Sequence, residues 1–460
     1  QLSQNEPPLA YYRFPIIGHT WRYLNDCRNL MLESQEKYGE TFSLYVFGKI
    51  MTVSAKDTAY EVFKKQFPTN DIFNHTSSEE KRDKPIKILK DVMGNMNNFT
   101  SRLQQNIAKA IDISIGDCVE PKVIRNPVEF ITNLTALLIA NVIFGEDCYY
   151  YEDLLETTKN ILNSVFKFIV LSKIFKIFSH IHPWVGKQFT KISLKSVSKH
   201  NDVIMKHIKP VIKKRLDDKK KLGDAWIAPL DALQVCLDDP EITPDLDPNN
   251  VDYNVIVEVL EILIFTAIIS LPAAVFYALY DLAGWKEYWN ELYEEAQVIN
   301  KQCNGNKLKS DDPDKMVKLD KFVKESLRLN IDITNVAHKC ISKPYYTFEN
   351  GYQVPNGRMV YVNFMSLAID EELQGQNSKE FYAYRHVSPA TKLEHNYLVF
   401  GSGKHACPGR FLAVNVPKIF LHMVMLKYNV RTETGKMKPP KYAGPTVRSF
   451  NVGIVFENRN

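Results

Sequence analysis

Phe400-Gly-Ser-Gly-Lys-His-Ala-Cys407-Pro-Gly409 is the stretch that decides how the rest of the chain is read. Gly401, Gly403 and Gly409 lack a Cβ, so the backbone there can turn sharply and lie close against a flat ligand. Pro408 suits the first position of a helix, and Gly409-Arg-Phe-Leu-Ala-Val-Asn-Val reads as that helix. Its N-terminal amides and dipole would hold the Cys407 sulfur as a thiolate. Phe400 would cover one side of the sulfur, and Lys404 and His405 stand where they can face a propionate. The stretch therefore reads as a cradle for a haem iron with one protein ligand. The plainer alternative is a structural cysteine in a glycine-rich turn. Phe, three Gly and Pro at these offsets count against it.

The spacing F-x-x-G-x-x-x-C-x-G is matched at every fixed position, and through it the segment resembles the cytochrome P-450 family. A second motif agrees. Glu325-Ser-Leu-Arg328 lies on a helix-periodic run, where Glu and Arg three apart share one face. In isolation such a pair is an ordinary surface ion pair. In the family it is buried and joined by an arginine from an irregular stretch before the cysteine loop, a place that Arg385 in Phe381-Tyr-Ala-Tyr-Arg-His fits. The resemblance runs over nearly the whole chain, from Arg13-Phe-Pro-Ile-Ile-Gly-His onward. It implies a mainly α fold with a small β lobe and haem b between a long central helix and the cysteine loop. Cys407 would be the axial iron ligand. Residues Cys340 to Asn363, alternating around Asn350-Gly351 and Asn356-Gly357, read as short strands and tight turns.

At 460 residues the length alone would suggest two or three domains. No linker-like composition divides the chain, so we expect one large catalytic domain over 1–460. Lys213 to Lys221 and Lys309 to Lys318 read as solvated loops. A diffuse net charge of +5 gives no argument for nucleic acid. Seven scattered cysteines without C-x-x-C argue against a disulfide framework and for reducing surroundings. The N-x-T matches at Asn74, Asn98 and Asn133 would then be chance.

The apolar run Ile262 to Tyr280 has nearly the length to span a bilayer. Pro272 and the flanking Glu258, Glu261 and Asp281 fit better with the family's central helix. That helix usually carries an acid followed by threonine. Here Ile269 takes the acid position and Ser270 the threonine position. Ile269 carries no proton. Ser270 keeps a hydroxyl that can anchor a water or merely bond back to the helix. Pro272 leaves the Ile268 carbonyl without its helical partner and should kink the chain. Pro417 should likewise bend the helix after Cys407. A hydroxyl followed by x-Pro-Ala resembles the branch of sterol and bile-acid 7α- and 12α-hydroxylases and prostacyclin synthase, or fungal steroid-hydroxylating relatives.

The resemblance implies a monooxygenase that hydroxylates a lipophilic, sterol-like molecule. It would use O2 and electrons from NADPH through a cytochrome reductase or a cytochrome b-type donor. The alternative is an isomerase or dehydratase acting on a peroxide or an already activated substrate without O2 or reductase; a haem carrier is a third reading. Cys407 and Ser270 are the candidate catalytic residues. Phe265, Ala267 and Ile268, with Val336, Ala337, Val447 and Phe450, are the expected pocket lining, mainly apolar. The usual W-x-x-x-R is missing, which leaves Arg102 and His338 as candidate propionate partners. Similar microsomal enzymes carry a membrane helix just before a Pro-Pro leader like that near Gln1. We therefore expect an anchor outside these residues and an endoplasmic-reticulum location facing the cytosol. Val165 to Phe178, apolar with interspersed lysines, suits both a substrate-access roof and a membrane surface.

Overall fold

The computed structural model describes residues 5–65, 79–161, 183–305, 307–330, 335–403, 406–437, 441–443, 446–448 and 452–459. The chain forms two compact units, each assembled from separated stretches. The first spans Gln1–Thr76, Asp320–Arg410 and Met437–Asn451. The second spans Ser77–Leu319, Phe411–Lys436 and Val452–Asn460.

The first unit is organised by a four-stranded sheet of β1 (Thr41–Val46), β2 (Lys49–Ser54), β4 (Asn335–Lys339) and β7 (Met359–Asn363), in the order β1-β2-β7-β4. β1 and β2 pair antiparallel from Thr41↔Ser54 to Val46↔Lys49. Phe47 and Gly48 close this hairpin at φ 50° and 74°, the left-handed pair that suits the twist of two strands. Phe42, Leu44 and Val53 bury one face beside Cys27, Leu30 and Met31 of helix Cys27–Tyr38. The expected strands and turns after Cys340 are present. β5 (Tyr345–Thr347) pairs with β6 (Gln353–Pro355), and Gly351 and Gly357 take positive φ between strands. β9 (Lys441–Ala443) and β10 (Thr446–Arg448) make a further hairpin.

The second unit is mainly helical. Its axis is the helix Tyr253–Gly284, capped by the Asp252 carboxylate on the Val255 N–H and buried along most of its length. Beside it packs Pro127–Phe144, with Asn126 capping and Pro127 opening the first turn. These two helices are long and apolar enough to cross a membrane, yet most of each apolar window is buried in the protein. The apolar run from Ile262 is thus a core helix, and it continues through Pro272. β3 (Lys122–Ile124), β11 (Ile454–Asn458) and β8 (Tyr428–Thr432) form a sheet with β11 in the middle.

One expectation fails here. Lys213 to Lys221 is not a loop but the end of the helix Pro183–Leu222. Lys, Arg, Asp and Leu in that run are compatible with a helix, and Arg215 is buried between Asp231 and Asp147 at 2.8 and 2.9 Å. Between Lys309 and Lys318 lies the short helix Asp312–Lys315, whose Asp312 is buried. Val165 to Phe178 and Asn74 lie outside the described residues.

Candidate active site

The Cys407 loop is built on backbone hydrogen bonds that require its glycines. Gly401 and Gly403 stand at φ 68° and 65°, where a side chain is strained. The Gly401 N–H donates to Leu398 O at 2.8 Å, that of Ala406 to Gly403 O at 3.2 Å, and that of Cys407 to Phe400 O at 2.8 Å. Phe400 is buried, edge-on to Tyr397. A Cβ on Gly403 would stand 3.5 Å from the Phe63 carbonyl. The following helix runs Arg410–Lys427, beginning two residues after Pro408 and continuing through Pro417.

Cys407 is the exposed member of the seven cysteines; the other six are buried. Desolvation by surrounding protein pushes its thiol pKa up. The Gly409 N–H, the Arg410 charge and the Arg410 N–H act on the sulfur in the opposite direction. Arg410 is tied down by bonds to the Thr391 and Cys407 carbonyls, both at 3.1 Å. A sulfur with two backbone amides and a guanidinium charge acting on it is suited to hold a cationic ligand as a thiolate. Among the described residues no group of three His, Cys, Asp or Glu side chains could hold a metal ion. A single cysteine thiolate is one of the donors by which proteins hold haem iron, and Cys407 fits that group. Bound to iron, Cys407 would be held as the thiolate.

The structure brings Glu325, Arg328 and Arg385 together. Arg328 makes two bonds of 2.7 Å to the Glu325 carboxylate, and Arg385 Nε adds one at 3.1 Å. The Tyr382 N–H donates at 3.0 Å and His386 Nε2 lies 3.4 Å away. Burial works against ionisation of Glu325, but Arg328, His386 and the Tyr382 N–H carry its pKa down to about 2. Arg328 also donates to Ala368 O and to Ser378 O, the latter at 2.6 Å. Arg385 spans the carbonyls of Gln374, Gln376, Asn377 and Glu380. Two fixed guanidinium groups thus shape an irregular stretch that has few backbone partners of its own.

His338, Val336 and Ala337 lie on β4, opposite Val360, Val362 and Tyr361. His338 is buried edge-on to Phe63 at 5.2 Å, so Phe63 borders both His338 and Gly403. Of Val447 only the backbone, in β10, is described; Phe450, Lys404 and His405 lie outside the described residues.

In the second unit, helix Tyr253–Gly284 leaves one stripe unburied in its middle: Ile262, Thr266, Ile269, Ser270 and Ala273. Spacings of three and four place them on one face. This corrects the expected lining. Phe265 and Ile268 are packed into the core at 3% exposure, and Ala267 alone of the three stays half-buried. Thr266, which sequence reasoning missed, is exposed at the centre of the stripe. Its hydroxyl lies 2.9 Å from Ile262 O and 3.1 Å from Leu263 O, while Ser270 Oγ donates to Thr266 O at 3.4 Å. Its signal in the sequence was its place one turn before Ser270. The same helix carries Glu261. Burial and the neighbouring Glu258 push its carboxyl pKa up to about 8, against a hydrogen bond from Asn201, so it holds a proton at neutral pH.

Arg102 has local partners. It donates to Asn141 O at 3.3 Å and stacks on Phe99 at 4.6 Å. Burial lowers its pKa, with Asp231 and Glu146 opposing. Its guanidinium thus contacts Asn141 and Phe99, while its buried Nε makes no hydrogen bond.

The family model for cytochrome P-450 matches residues 7–454. The chain belongs to the cytochrome P-450 family. Its relatives include the cytochrome P-450 monooxygenases AN1598 of Emericella nidulans and olcJ of Penicillium canescens. They are 24% identical over 75% and 26% identical over 77% of this chain, covering 64% and 66% of their own lengths. Monooxygenase 151 of Postia placenta is 32% identical over 42% of the chain and 41% of its own length. The matched stretches thus span about two thirds or less of these fungal relatives. A retinoic-acid-bound cyanobacterial CYP120A1 shares the fold, with TM-score 0.73 and 16% identity over the full length of both chains.

Proposed function

We propose that the chain is a single catalytic domain that hydroxylates a lipophilic, sterol-like substrate as a haem-thiolate monooxygenase. O2 is the oxidant, and electrons come from NADPH through a cytochrome reductase or a cytochrome b-type donor. The observation that carries this reading is Cys407, with the Gly409 and Arg410 amides directed to its sulfur, in the family's motif. Bound haem supplies oxygen activation, which thiolate ligation favours. Cys407 holds the iron, Phe400 shields the sulfur, and Gly401 and Gly403 let the backbone lie close. Glu325, Arg328 and Arg385 fix the stretch before the loop. Ser270 and Thr266 anchor water on an otherwise apolar stripe. Val336, Ala337 and His338 belong to the strand that would flank the ligand. The named fungal monooxygenases support the reaction class; a membrane surface and a cytosol-facing endoplasmic-reticulum location belong to the same reading.

Ile269 favours a second reading, isomerisation of a peroxide, because it removes the usual acid and that reaction needs no proton delivery. Product analysis after a lipid-substrate screen by optical spin-state shift separates the two. Strict dependence on NADPH, reductase and O2 is expected; product formed without all three would overturn the first reading and establish the second.

A further inference from the structure

We propose that the second unit carries another ligand site, a cationic cleft for a small organic oxyanion that also bears hydroxyl groups. The cleft has a volume of about 320 Å3 and is lined by Lys286, Trp289, Arg431, Val455, Glu457 and Arg459 among others. None of these belongs to the Cys407 loop or to the open stripe of the central helix.

One wall is a sheet face. β8 and β11 pair with Arg431 opposite Val455 and Asn429 opposite Glu457, and alternate residues along each strand share a face. Arg459 continues that face beyond the strand, its N–H donating to Lys427 O at 3.0 Å. The other wall is the turn Lys286–Tyr288 and the start of the helix Trp289–Gln302. Trp289 is fixed there by its indole N–H on Leu282 O at 2.8 Å. The Arg459 guanidinium is in turn fixed by rings, 5.3 Å from the Trp289 centroid and 3.6 Å from that of Tyr293.

The charges in this cleft are unspent. Among the described residues the side chains of Lys286, Arg431 and Glu457 make no hydrogen bond or ion pair, and the buried Arg459 Nε has no acceptor. A stacked arginine alone would be packing. An oriented guanidinium with an unused buried donor, beside two further unpaired cations in a concavity, is what an oxyanion site requires. Guanidinium groups match carboxylate and phosphate oxygens in pairs, and a concave wall of one sign focuses its field on an incoming anion. Three cations face one carboxylate, so the ligand carries net negative charge. Glu457 repels a bare anion and accepts hydroxyl donors, so the ligand carries those too. Trp289 and Val455 give an apolar surface for its body.

Equilibrium dialysis of the haem-loaded protein against labelled adenosine monophosphate, citrate and inorganic phosphate, at matched ionic strength, tests this. Saturable binding of one organic anion is expected: the nucleotide if the oxyanion is phosphate, citrate if it is carboxylate. Arg431→Ala, at an exposed position, should weaken it about tenfold or more. Glu457→Gln should tighten citrate binding, a gain that a merely structural carboxylate would not give. Three results would overturn the proposal: no saturable binding of either organic anion, inorganic phosphate binding as tightly as both, or affinity unchanged in Arg431→Ala.

Discussion

The cysteine side and the central helix are built in opposite ways. Around Cys407 and Glu325 the structure is fixed by polar groups with defined partners: two arginines on one buried carboxylate, and amides on one sulfur. The helix Tyr253–Gly284 is fixed by burial, and its open stripe offers two hydroxyls that bond back onto their own helix. Where a site must hold charge, residue type and offset are both constrained. Where it must hold shape, periodicity suffices and many side chains serve.

The largest effect should come from Cys407→Ala. It should abolish the thiolate-type carbon monoxide difference spectrum of the reduced protein, and activity with it. A retained thiolate spectrum would place the ligand on another cysteine and break the charge-specified side of the contrast. Glu325→Ala comes next. It leaves Arg328, 1% exposed, without its carboxylate, and stranding one partner of a buried pair costs roughly 3–5 kcal/mol. Urea unfolding should show a lower midpoint or no cooperative transition; an unchanged midpoint would show that the pair is not the fixed point we take it to be.

On the central helix the expected changes are smaller and fall on chemistry more than on stability. Ser270→Ala removes one long bond of 3.4 Å to Thr266 O, and a change of about 0.5 kcal/mol or less is expected. Reducing equivalents lost as peroxide should rise. Thr266→Val keeps the shape and removes the exposed hydroxyl, and should raise the peroxide share in the same direction. Unchanged coupling in both variants would mean that the stripe only shapes the pocket.

This contrast also explains what could be read in the sequence. The cysteine loop, the Glu325–Arg328–Arg385 network and the turns at Gly351 and Gly357 were legible because each depends on a residue type at a fixed offset. The open face of the central helix was not. In a helix apolar on all sides, periodicity does not say which side is left uncovered, so Phe265 and Ile268 were assigned to the pocket and Thr266 overlooked. The run Lys213 to Lys221 failed for a related reason. A charged residue in sequence looks solvated, and only a tertiary partner such as Asp231 for Arg215 reveals a buried one.

Acid should separate the polar pair from a buried group that has no such partner. His422, on helix Arg410–Lys427, is 2% exposed, and its Nδ1 finds no hydrogen-bond partner. Burial lowers its pKa from 6.5 to about 4, with Asp312 opposing. The unfolded chain therefore takes up this proton first as pH falls, and stability is lost from about pH 6.5 down to about pH 4, on the order of 3 kcal/mol. Glu325 has the opposite bookkeeping: its folded pKa of about 2 lies below the ordinary 4.5, so its contribution is intact above that value and disappears only as pH falls toward 2. Between pH 6.5 and 4.5 the His422 effect should therefore act while the Glu325 contribution is still whole. His422→Leu should leave stability at pH 7 nearly unchanged and flatten its decline over that window, as read by urea midpoints at half-unit steps. A decline of equal slope in the variant would remove His422 as its source.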